Sequence, residues 1–241
     1  MIFQIFESGL SFGQNLILLL IMLCVVLGSI MIHELAHGYV SMLLGDPTAK
    51  KASRLTLNPL KHLDPVGTAL MIFCGFGWAK PVPVNPRYYK NPKRGMAITA
   101  LAGPLMNLLI GVSATVILTV TVWLWESGVY TDLFIIRKLT PFSYDIITTA
   151  LYIILYYNLL LAVFNMFPVP PLDGSRIVFA VLPDRYYFSV MRYEKLIMVI
   201  MFFILWTGFL TGIFEFLVDL IIRGVGTAVL LALELLVKLF I

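Results

Sequence analysis

His33-Glu34-Leu35-Ala36-His37 stands inside the almost unbroken apolar run from Leu16 to Leu44. On a helix, H-E-x-x-H puts two imidazoles one turn apart on one face, where they can share a metal ion. The glutamate between them can work a metal-bound water. Ionisable groups within a membrane span are costly and mark function. Two histidines and a glutamate packed between helices without partners would cost several kcal/mol. Chelation is therefore the economical reading.

Zinc hydrolases use three protein ligands and keep one position for water, so a third ligand is required. His62, the other histidine, sits in the polar stretch Asn58-Pro59-Leu60-Lys61-His62. Asp173 is the better candidate, in Asn165-Met166-Phe167-Pro168-Val169-Pro170-Pro171-Leu172-Asp173-Gly174. Three prolines interrupt an apolar segment there, and broken backbone at membrane depth is tolerated only inside protein or beside a wet cavity. The competing role for Asp173 is an N-cap of a helix over 174–182, which Pro-Pro-x-Asp-Gly also suits.

The elements that must position these residues are membrane spans. Of 241 residues, 60% are hydrophobic and 12% charged, and mean hydropathy is +0.95. A soluble domain would be about half apolar and about a quarter charged. The expected fold is an all-α polytopic membrane protein with about four long spans near 14–44, 96–125, 146–181 and 195–222. The run 66–85 is too short to cross and is rich in glycine and proline, which predicts a re-entrant β-hairpin-like segment. The apolar stretch 224–241 is expected to form a C-terminal helix, either a fifth span or, as favoured, a helix lying at the interface. Residues 1–241 are read as one membrane-embedded domain. The first span is too long for a cleaved signal and carries the motif. Cys24 and Cys74 have neither disulfide nor metal-site spacing and read as packing residues.

Basic residues set an orientation. The connection 45–95 holds nine lysines and arginines against Asp46 and Asp64. Positive-inside counting places it in the cytoplasm and the N-terminus outside; anionic lipid headgroups are a second use for the same charges. If the first and third segments both run inward, His37 and His33 lie roughly 10 and 16 Å from the inner end of one, and Asp173 about 13 Å from that of the other. Three ligands thus reach one depth. Gly103-x-x-x-Asn107-x-x-x-Gly111 presents a face suited to close helix packing, with Asn107 also placed to support a metal ligand. Tyr88 and Tyr89 read as interface anchors. Glu215, Asp219 and Arg223 read as a solvated, partly ion-paired helix end.

With these motifs in hand, the chain resembles the site-2 protease family of intramembrane zinc metalloproteases. The resemblance covers His33 to Gly38, Gly75 to Asn85, Ala102-Gly103-Pro104-Leu105-Met106-Asn107 and Asn165 to Gly174, in that order. It implies one Zn2+ held by His33, His37 and Asp173, Glu34 as catalytic base, and Asn165 as a catalytic group contacting the substrate backbone. It further implies substrate contacts at Gly75, Phe76 and Gly77, and assigns Asn107 to the same surroundings. The implied partner is a transmembrane protein substrate within the lipid bilayer of the cell (inner) membrane, cut from the cytoplasmic side. No PDZ or CBS domain is expected, and nothing points to nucleic acid. A metal transporter or sensor using the same ligands without hydrolysis is the main alternative. It would not need Glu34, and transporters usually string several ionisable groups along a path. A di-iron oxidase would need more histidines than three, and an inactive scaffold would not need the intact set.

Overall fold

A computed structural model describes residues 11–67, 79–127, 141–183 and 192–240. Four of its helices are long and apolar enough to cross a membrane. Helix α1 spans Phe12–Leu43, opened by a capping box in which Ser11 and Gln14 satisfy each other's end of the first turn. It closes at Gly45, whose φ of 102° is the left-handed turn that favours glycine. A one-turn helix, α2, follows at Thr48–Lys51. Helix α3 spans Pro92–Glu126, with Asn91 capping it and Pro92 in its first turn. Helix α4 spans Pro141–Asn165 and ends where Pro168, Pro170 and Pro171 deny further amides. Helix α5 is short, Asp173–Val181. Helices α6, Glu194–Trp206, and α7, Thr211–Phe240, complete the chain.

The bundle is organised around α3, which packs on α1, α4, α5 and α7. Ala114, Leu155, Leu159 and Val218 form its apolar core. At Gly111 a Cβ would come within 2.6 Å of the Leu159 side chain, so the missing side chain sets how closely α3 and α4 approach. The rest of the interior is unusually polar. Ser29, His33, His37, Ser41, Asp46, Thr99, Asn107, Thr115 and Asn158 are all buried, while leucines and isoleucines cover the outside. Such an inversion suits a lipid surround, where each polar group must find its partner within the protein.

Several expected boundaries shift. The third segment, expected over 146–181, is two helices joined by a proline turn. The fourth, expected over 195–222, breaks after Trp206 at Gly208, whose φ is 72°. The long crossing helix is instead α7, so 224–241 is not a separate interfacial helix. Gly224 and Gly226 sit in its interior because glycine weakens a helix by only about 1 kcal/mol. Asp219 and Arg223 pair at 2.6 Å in the body of α7, not at a helix end. Cys24 is an exposed free thiol, not a packing residue. Tyr89 is buried rather than at an interface.

The β-hairpin-like segment expected over 66–85 is not supported. Its 68–78 part, with Gly75, Phe76 and Gly77, lies outside the described residues. Among the described residues there is no strand, and a lone antiparallel bridge joins Leu63 to Ala79. Pro81 and Pro83 have no amide to donate, so along 79–85 one edge lacks ladder donors.

Asp46 ties this chain to α1. It is fully buried and accepts from Ser41 Oγ at 2.8 Å, the Asn85 amide at 2.7 Å, the Thr48 amide at 2.9 Å and the Thr48 hydroxyl. Burial pushes its carboxyl upward, but the bonds from Asn85, Thr48 and Ser41 outweigh that and hold it below the usual carboxylate range. Asp46→Ala would strand these donors and should lower unfolding stability by about 2–4 kcal/mol, measured by thermal or denaturant unfolding in detergent. Because the folded carboxyl is the stronger acid, its stabilising contribution is complete above about pH 4. That contribution fades as pH falls through the lower native value. Asp46→Asn should therefore flatten this acid limb of the stability curve.

Candidate metal centre

The turn spacing of α1 places His33 and His37 one above the other, with ring centroids 4.6 Å apart. Asp173 arrives from the start of α5. It is the first residue of that helix, not its N-cap; Leu172 holds the cap position. The carboxylate is thereby released to face α1. Gly174 makes this possible, since a Cβ there would overlap the Met166 and Phe167 backbone of the preceding turn. Asp173 Oδ2 lies 3.1 Å from His33 Nε2 and 3.1 Å from His37 Nε2, and the two Nε2 atoms are 3.0 Å apart.

The opposite ring nitrogens show what this triangle is for. His37 Nδ1 is 2.7 Å from the Thr99 carbonyl oxygen, and His33 Nδ1 is 2.6 Å from Asn107 Oδ1. Both partners are acceptors, so in each neutral imidazole Nδ1 carries the proton and Nε2 a lone pair. Two lone pairs and a carboxylate oxygen then converge without a donor among them, an arrangement that a cation resolves. Four-coordinate zinc with bonds of about 2.0–2.1 Å sets its ligand atoms roughly 3.3–3.4 Å apart. The observed spacing differs by a few tenths of an ångström. The donor set therefore fits zinc, and among the described residues His33, His37 and Asp173 are the cluster able to hold an ion.

Gly103 of α3 backs the site. A Cβ there would lie 2.5 Å from His37 Nε2 and 2.6 Å from His33 Nε2. Both imidazoles are held from behind through Nδ1 and cannot swing away. The small-residue face of α3 thus serves helix packing at Gly111 and the metal centre at Gly103.

A cavity of about 320 Å³ opens beside the triangle, lined by Glu34, Val82, Val84, Thr99, Asn165, Pro171 and Arg176 as well as the three ligands. Glu34 Oε2 accepts from the Val82 amide at 2.8 Å, so the 79–85 chain orients the carboxylate. Asn165 donates through Nδ2 to the Leu161 carbonyl at 3.0 Å while lining the cavity. His62 stands apart, buried, with Nε2 bonded to the Thr56 carbonyl at 2.8 Å. Asn107, assigned from sequence to the substrate surroundings, is fully buried against His33 and touches no open space.

Sequence reasoning missed four contributors. Asn158 bonds Asn107. Tyr89 links Ser41 to Thr99 behind His37, at 2.7 and 3.0 Å. Gly103 and the Val82 amide complete the set. Asn158 left a signal that went unread: it lies seven residues before Asn165, on the same face of α4, whereas Gly103 and Tyr89 were read only as a packing residue and an interface anchor.

YwhC of Bacillus subtilis is 42% identical over 155 residues, covering 64% of this chain and 66% of YwhC. The zinc metalloprotease MJ0392 of Methanocaldococcus jannaschii is 28% identical over 185 residues, 77% of this chain and 41% of its own length. Rip2 of Mycolicibacterium smegmatis is 24% identical over 151 residues, 61% and 51% respectively. The matches thus span less than two thirds of each relative's length. No solved structure matches the chain significantly. The model of peptidase family M50 matches residues 21–208, a stretch that contains His33, Glu34, His37, Asn165 and Asp173. By that match the chain belongs to peptidase family M50, the site-2 protease family.

Proposed function

We propose that this protein is an intramembrane zinc metalloprotease that hydrolyses a peptide bond in or beside a membrane-spanning segment of another protein. One observation carries the reading: His33, His37 and Asp173 meet as a three-ligand triangle with Glu34 beside them in an open cavity. Family membership and the name of MJ0392 support it. A transporter or sensor role has no observation in its favour.

In this reading His33, His37 and Asp173 hold one zinc ion. Zinc supplies Lewis acidity toward a carbonyl oxygen and draws the pKa of water toward neutrality. Glu34, oriented by the Val82 amide, takes the proton of the attacking water and passes it to the leaving amine. Asn165, on the cavity wall, holds the substrate backbone or donates to the developing oxyanion, a contact of a kind worth roughly 3 kcal/mol. A helical peptide bond is shielded by its own hydrogen bonds, so the substrate must unwind locally. The non-helical 79–85 chain, reaching Glu34, is the surface it meets. Substrate contact at Gly75, Phe76 and Gly77 rests on the family resemblance and on their place just ahead of that chain.

The excess of basic residues in 45–95 supports a multi-pass protein of the cell membrane, with the N-terminus outside and the site toward the cytoplasm. Residues 1–241 then act as one membrane-embedded unit.

Cleavage is tested with purified protein and a fusion substrate bearing a transmembrane segment. Glu34→Gln should cut cleavage by about a hundredfold or more while zinc content stays near one per chain; undiminished cleavage would sink the mechanism. Gly103→Ala should weaken zinc affinity about tenfold or more by displacing both imidazoles, read by competition with a chelator. Unchanged affinity would show that the ligands do not sit against α3.

A further inference from the structure

We infer that Asn158 of α4 is a positioning residue for the metal centre: acting through Asn107, it holds His33 in the tautomer that leaves Nε2 free. The inference rests on the metal-centre reading and adds a residue that touches neither metal nor substrate.

The Asn158 amide cannot turn over. The Ile154 carbonyl is an acceptor by nature and lies 2.8 Å from Asn158 Nδ2. Ser29 Oγ, 2.9 Å from the same nitrogen, spends its own proton on the Val25 carbonyl at 2.7 Å and can only accept. The amide of Asn158 therefore has one orientation, with Oδ1 toward Asn107. Asn107 Nδ2 donates to that oxygen at 2.9 Å and leans on the Ser29 carbonyl at 3.5 Å. Its own Oδ1 must then face His33 Nδ1. An amide oxygen cannot donate, so Nδ1 carries the proton and Nε2 keeps its lone pair for the ion.

Reversing either amide would set oxygen against oxygen in a dry interior. Asn107 is 0% and Asn158 1% exposed, so no water is at hand to relieve it. The relay joins α1, α3 and α4 and converts the direction of one helical carbonyl into the protonation pattern of a ligand. Without Asn158 the Asn107 amide is free to reverse and present NH2 to Nδ1. The ring proton then moves to Nε2, where it competes with the metal.

The test uses full-length protein in detergent with two readouts that do not involve proteolysis. Nitrogen NMR of 15N-histidine-labelled, metal-free protein reports the His33 tautomer, and chelator competition reports zinc Kd. Asn158→Leu should mix or invert the His33 tautomer and weaken zinc binding about 10–100-fold. Asn158→Asp keeps an oxygen for Asn107 to donate to. It should lose thermal stability yet hold the wild-type tautomer and a Kd within about threefold. In an Asn107→Leu background, Asn158→Leu should weaken zinc no further. The inference is overturned if Asn158→Leu leaves tautomer and Kd unchanged, if the Asp and Leu variants weaken Kd equally, or if the two leucine substitutions add. Should Asn158→Leu fail to fold, the Asp variant decides: Kd within threefold supports the relay, tenfold weakening refutes it. If wild-type protein bound no zinc, the metal-centre reading would fall, while the tautomer comparison would still decide the role of Asn158.

Discussion

Three acceptor atoms held within 3.1 Å of one another are the constraint on which the structure turns. Left alone, two imidazole lone pairs and a carboxylate repel, and in an apolar surround that repulsion is weakly screened. The bundle holds them together from behind. Asn107 and the Thr99 carbonyl take the Nδ1 protons, Gly103 leaves room for both rings, and the proline turn before α5 delivers Asp173. A cation would neutralise the triangle, and the cavity on its open side leaves space for a further ligand or substrate.

The polar interior follows from the same constraint. Each imidazole is bonded to a group that is itself bonded. His33 leads through Asn107 to Asn158 and Ser29. Behind His37, Thr99 leads through Tyr89 to Ser41 and Asp46. In water such chains would exchange with solvent and direct little. Among lipid-facing helices they have no alternative partners, so they set ring orientation and tautomer. Asp46 also receives the Asn85 amide. One buried carboxylate thus connects the back of the site to the 79–85 chain, whose Val82 amide orients Glu34.

Much of this was legible in the residues. H-E-x-x-H carries its geometry with it, because four residues make about one turn wherever the segment is helical. Asp173 was legible because prolines in an apolar segment mark broken backbone that must be sheltered. Helix ends were less so. Periodicity is silent within segments that are apolar on every side, and the break at Gly208 resembles glycines that α7 tolerates at 224 and 226. Asn107 was assigned to the substrate as well as to the histidines, since spacing on α3 cannot say whether a polar face meets a cavity or a neighbouring helix.

By itself, the sequence determined the chemical groups: two imidazoles a turn apart, a carboxylate between them, a second carboxylate behind prolines, and the membrane setting. These are properties of side chains and of local spacing. Only the tertiary structure decided which acceptors sit behind each imidazole, that Asp173 opens α5 rather than capping it, and that Asn158, 51 positions from Asn107, orients its amide. Those outcomes depend on how α1, α3 and α4 approach one another, and the approach is set by contacts among residues far apart in the chain.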